Sequence, residues 1–146
     1  MTSSPDLGVR GGPNRSFAPD RYLFGDGEVV ILGSRSDETG SLFWPRRLRC
    51  PETGGTVSDV ILRTEGVLWS WTFVHVPWPG ETAPNGPDGY GVGLVDLDGK
   101  GPRVLGMLPG DRREWHVGAR MRARELQFVT IDGAARSILA FEEVGQ

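Results

Sequence analysis

The chain has 146 residues, 38% of them hydrophobic, and five tryptophans, enough apolar material for one domain or a domain with a small appendage. Its 22 glycines and 11 prolines predict many turns and short elements, which favours an all-β architecture over a helix bundle. A formal charge of −3 supplies no global drive toward nucleic acid or an anionic membrane. A single cysteine and two histidines exclude a disulfide framework and a Cys-rich tetrahedral zinc site. The start, MTSSPDLGVRGGPNRS, has no apolar stretch of a secretion signal, and no apolar run approaches the roughly 20 residues that span a bilayer, so a cytoplasmic location is expected.

In chain order, residues 1–17 read as a mobile tail, because they offer almost nothing to bury. APDRYLFGDG predicts a short helical turn that docks through Tyr22, Leu23 and Phe24 and is stopped by GDG. EVVILGSR is an apolar, β-branched run and reads as a strand. Residues 34–55, SRSDETGSLFWPRRLRCPETGG, are irregular and turn-rich. GVLWSWTFVHV (66–76) alternates so that Trp69, Trp71, Phe73 and His75 share one face, opposite Leu68, Ser70, Thr72 and Val74. PWPGETAPNGPDG (77–89) is a long loop. YGVGLVDL (90–97), a hairpin turn at DGKG and PRVLGML (102–108) follow. RMRARELQFV (120–129) reads as a strand whose parity slip at Leu126 and Phe128 predicts a bulge. SILAFEEV closes the chain. Five strands, with a helix or turn near 109–117, fit a small closed barrel such as an OB-fold.

The string SRSDETGSLFWPRRLRCPETGG, GVLWSWTFVHVP, YGVGLVDLDGKGPRVLG, HVGARMRA and LAF resembles the DUF35 family over about residues 18–144. That resemblance implies a rubredoxin-like zinc ribbon followed by an OB-fold, and divides the chain into a tail (1–17), an N-terminal helix with the ribbon (18–63) and an OB-fold domain (64–146). The expected fold is therefore mainly β. The ribbon's two Cys-x-x-Cys knuckles fall in register on Ser36, Thr39, Cys50 and Thr53. Neutral hydroxyls are poor zinc ligands beside thiolate and imidazole, so no zinc is expected at these relic positions. Side-chain to backbone hydrogen bonds must hold the knuckles instead.

The resemblance implies an accessory role with no bound cofactor of its own. DUF35 proteins are partners of thiolase-like enzymes, of the lipid-transfer-protein type, that act on acyl-CoA thioesters as aldolase, lyase or acyltransferase, for example in steroid or fatty-acyl side-chain degradation. A heterotetramer, or a hydratase as partner, fits the same pattern. The chain alone carries no catalytic constellation: it lacks a G-x-S-x-G elbow, and Cys50 has no histidine near it in sequence. GYGVGLVDLDGKG fails the phosphate-loop spacing and lacks its Ser/Thr, and DLDG lacks the further carboxylates of a calcium loop.

Candidate partner or substrate-channel residues are Trp69, Trp71, His75, Trp78 and Tyr90. Trp69, Trp71 and Phe73 read equally as barrel core, as a surface under a partner, or as a stacking platform of a single-stranded nucleic-acid binder. Trp78, between two prolines, reads as an exposed anchor. His116 reads as a turn residue. Arg46, Arg47, Arg120 and Arg122 are candidate contacts to CoA phosphates, with ion pairing as the alternative.

Overall fold

The computed structural model describes residues 16–78, 84–130 and 132–145. The architecture is two β-sheets that share one core.

The first sheet is antiparallel and is built on one long strand. β1 (Tyr22–Gly25) pairs with the first half of β2 (Glu28–Ser36). The second half of β2 carries β3 (Leu42–Phe43) on one edge and β4 (Val57–Ile61) on the other. The second sheet is a closed barrel. β5 (Glu65–Val74), β6 (Tyr90–Leu97), β7 (Arg103–Met107), β8 (Arg120–Val129) and β9 (Ala135–Glu143) close in the order β5-β6-β7-β9-β8. All its pairings are antiparallel except the β7–β9 contact at Met107 and Ala140. This is OB-fold connectivity, as the strand count and spacing predict.

Tyr22, Phe24, Ile31 and Leu62 of the N-terminal half pack into one cluster with Leu68, Val95, Val104, Leu108, Leu139 and Phe141 of the barrel. In β6, alternation places Gly91, Gly93, Val95 and Leu97 inward and Tyr90, Val92, Leu94 and Asp96 outward. The inward glycines make room. A Cβ at Gly91 would lie 2.0 Å from the Trp115 ring, and one at Gly93 would lie 2.8 Å from Leu108. Trp115 thereby plugs one end of the barrel, carried there by a single 3-10 turn (Arg112–Glu114).

Four sequence expectations are corrected. APDRYLFGDG makes no helix: Ala18 accepts from the N–H groups of Arg21 and Tyr22 in a turn, and β1 follows at once. Tyr22 and Phe24 are the inward-facing pair of that strand, so their spacing of two, not a helical stripe, sets the structure. The tail does not extend to residue 17, because Ser16 bridges Ser137 and the Phe17 N–H donates to the Ser137 carbonyl at 2.7 Å; residues 1–15 lie outside those described. β8 has no bulge, and its register with β9 is unbroken from Met121 to Val129. Its apolar residues change parity because Met121 and Ala123 face the barrel core, whereas Phe128 is buried on the other face under Phe17 and Trp78.

The bulge lies in β5, between Leu68 and Ser70. An extra residue there turns Trp69 outward while Leu68 and Trp71 both serve the interior, so Trp69 and Trp71 do not share a face.

Candidate functional site

The candidate residues separate into an interior group, an outward strip, a loop anchor and the paired knuckles. Trp71 packs against the core and meets Trp115 edge-on, with ring centroids 5.2 Å apart. Phe73 is flanked by the Arg112 guanidinium, 4.6 Å above its ring, and by His75 at 5.0 Å. His75 is exposed at the end of β5 and borders a polar cleft of about 760 Å³ with Asn85, Asp88 and Asp111. Asn85 clamps the loop to the barrel end. Its amide donates to the carbonyls of Leu108 and Gly110, and its oxygen accepts from the Gly91 N–H.

Trp69 alone of the expected aromatic row faces outward. It is 47% exposed, and the Arg103 guanidinium lies 3.8 Å over its ring. Arg103 is held there by Asp96 at 3.4 Å. Val67 and Leu105 are exposed beside it on β5 and β7, with the outward Leu94 of β6 between them. The strip runs into an apolar groove of about 500 Å³ floored by Val92, Leu105, Met107 and Ile138 and walled by Phe17 and Trp44. A three-ring stacking platform is therefore not assembled, since Trp71 is interior and Phe73 is covered.

Trp78 is not an exposed anchor. Its ring is half-buried between Tyr90 at 5.2 Å and Phe128 at 5.3 Å, and its indole N–H is buried. Tyr90 and Phe128, both on the barrel exterior, build an apolar seat that sequence spacing does not reveal.

The arginines are mostly matched by carboxylates of the same chain. Arg120 binds Asp98 and reaches Glu65, Arg122 binds Glu142 at 3.0 Å, and Arg46 binds Asp59 at 3.3 Å. Arg46, Arg120 and Arg122 thus make the ion pairs that were the alternative to a CoA phosphate contact. Arg47 is exposed and, among the described residues, has no carboxylate partner. It adjoins Leu48, 98% exposed, at the tip of the N-terminal sheet.

Asp111 caps the 3-10 turn that delivers Trp115, accepting from the Arg113 N–H and side chain. The Arg113 guanidinium, then its N–H, hold this carboxyl down at about 2. A folded-state value below the unfolded one means that the cap stabilises fully above pH ~4 and is lost as pH falls toward about 2. A carbon NMR titration should show that midpoint, and Arg113→Ala should return it toward the ordinary carboxylate range. An Asp111 that titrates normally in the parent protein would remove the cap.

The knuckles hold the relic positions together. Ser36 (1% exposed) and Cys50 (2% exposed) are both buried. The Ser36 hydroxyl, then that of Thr53, hold the Cys50 thiol below its ordinary pKa, and the N–H groups of Glu52 and Thr53 act in the same direction. The Ser36 hydroxyl in turn accepts from the N–H groups of Glu38 and Thr39, as the side-chain to backbone expectation requires. The donor set of two threonines, one serine and one thiol does not suit zinc, which takes thiolate, imidazole or carboxylate.

Residues 60–125 match the family described as the ChsH2 C-terminal OB-fold domain. Those residues take in β5 to β7 and the first half of β8, so the match falls on the barrel. Among solved structures, the chain is similar to one titled "Ltp2-ChsH2(DUF35) aldolase", with 20% identity over 80% of this chain and 86% of that one and a TM-score of 0.60. It is also similar to a DUF35 protein of unknown function from Sulfolobus solfataricus, at 20% identity over 74% of each chain and a TM-score of 0.47. No curated protein sequence matches. Among the described residues, no helix is long and apolar enough to cross a membrane.

Proposed function

We propose that this chain is a DUF35 protein and a noncatalytic accessory subunit that docks on a thiolase-like enzyme acting on acyl-CoA thioesters, in a heteromeric complex. The observation that carries the reading is the outward strip of Val67, Trp69, Leu94 and Leu105 on the face where OB-folds take their ligands. It is apolar, and at its centre an arginine lies on a tryptophan, the residue types that dominate interface energetics. The structurally similar chain titled "Ltp2-ChsH2(DUF35) aldolase" supports a protein, in the form of an enzyme subunit, as what covers it. The chain's own thiol supports the absence of independent acyl chemistry. Cys50 is buried, and no histidine is among the groups that act on its thiol to activate it. Cleavage of steroid or fatty-acyl side chains and a heterotetrameric stoichiometry are the finer form of the proposal.

Affinity purification of the tagged full chain from its native cells, with native mass spectrometry, tests this. A stoichiometric thiolase-like subunit is expected. A chain that emerges alone, or loaded with single-stranded nucleic acid, overturns the proposal.

A further inference from the structure

The two knuckles repeat one short motif. Ser36-Asp-Glu-Thr-Gly40 and Cys50-Pro-Glu-Thr-Gly54 share Glu-Thr-Gly at the same offsets. Their geometry repeats as well. The Gly40 N–H donates to the Ser36 carbonyl at 2.9 Å, and the Gly54 N–H to the Cys50 carbonyl at 2.8 Å. Gly40 and Gly54 both sit in the left-handed region, at φ 79° and 77°. The Ser41 and Gly55 N–H groups donate to the Thr39 and Thr53 hydroxyls at 3.2 and 3.1 Å.

Two such turns facing each other, with liganding positions first and fourth in each, are the arrangement in which a tetrahedral metal holds two chain segments together. Here the side chains meet through hydrogen bonds between threonine and glutamate. Ser36 of the first knuckle and Cys50 of the second are both buried. On the exposed rim the bonds are exchanged between knuckles: Thr53 donates to Glu38 at 3.2 Å, and Thr39 reaches Glu52 at a longer 3.5 Å. The Glu38 carboxylate lies so close over the second knuckle that a Cβ at Gly55 would stand 1.7 Å from its oxygen. The rim bonds are solvent-exposed and contribute little each. At the buried end Ser36 accepts from two N–H groups of its own knuckle at once, which fixes that turn from within.

We infer that the knuckle pair is a metal-free clasp, in which the turn bonds of buried Ser36 and the exchanged Glu–Thr bonds perform the task that a zinc ion performs between Cys-x-x-Cys knuckles. The clasp holds the chain between β2 and β4 together without dependence on metal supply.

Three measurements on the full chain test it. The purified protein should carry no stoichiometric zinc, and its Tm should be unchanged by a strong chelator; one zinc per chain, or a Tm lowered by chelation, overturns the clasp. Ser36→Ala should speed amide exchange at Glu38 and Thr39 about tenfold or more, since two buried-side donors lose their acceptor; unchanged protection overturns it. The variant with Ser36→Cys, Thr39→Cys and Thr53→Cys should bind one equivalent of cobalt(II) with the visible absorption of a tetrahedral thiolate site, while the parent binds none. Cobalt thiolate bands in the parent, or none in a folded triple variant, would contradict the in-register reading.

Discussion

Trp71→Ala is expected to lower the unfolding free energy by about 3 kcal/mol, read from urea denaturation monitored by far-UV circular dichroism. The ring packs against the barrel core and closes edge-on against Trp115. The barrel wall opposite Trp71 is Gly93, which has no side chain to move into the space. Truncation therefore leaves a cavity and also releases the plug residue. A T-shaped aromatic pair adds roughly 0.5–1.5 kcal/mol beyond burial, so the Trp71→Ala and Trp115→Ala effects should be less than additive by about that amount. A variant within about 0.5 kcal/mol of the parent would put Trp71 on a surface and undo the assignment of the bulge.

Trp69→Ala is expected to do the opposite: leave Tm nearly unchanged and weaken association with the enzyme partner about 30-fold or more, close to 2 kcal/mol. The two tryptophans are two residues apart, and a strand without a bulge would give them the same fate. Because of the bulge, Trp69 is half-exposed on the outer face and carries Arg103 on its ring. Removing the indole also frees Arg103, so Arg103→Ala should reproduce part of the loss. Unchanged affinity, measured by titration calorimetry with the purified partner, would take this strip out of the interface.

Much of the barrel was legible in the sequence, and the reason is periodicity. YGVGLVDL and RMRARELQFV coincide with β6 and β8, because alternation in a half-buried strand is a direct readout of sheet geometry. The hairpin at Asp98-Gly99 was legible from its turn residues. The N-terminal strand was not. Tyr22 and Phe24 beside a proline and an aspartate satisfy helix-start chemistry as well as they satisfy a short strand, and pairing with β2 decides between them. The bulge was placed in the wrong strand because an outward residue that is covered by other parts of the chain, such as Phe128, looks in sequence like a change of register.

For the candidate site, the legible part was the chemistry that is missing: the knuckle positions carry hydroxyls. The tertiary pairings were not legible. Arg103 reaches Trp69 only because β6 brings β5 and β7 to its two edges, and Trp78 finds its seat on Phe128 from 50 residues away. The shared Glu-Thr-Gly of the knuckles is a sequence signal, short but present, that marks both turns before any coordinates are consulted.

The most direct test of the accessory role is turnover of an acyl-CoA thioester by the purified partner enzyme, with and without this protein, beside this protein alone. No turnover by this protein alone is expected, and cleavage by the partner should depend on its presence and be unchanged by Cys50→Ala in any variant that folds. Turnover by this protein alone that is abolished by Cys50→Ala, or full partner activity in its absence, would contradict the accessory role.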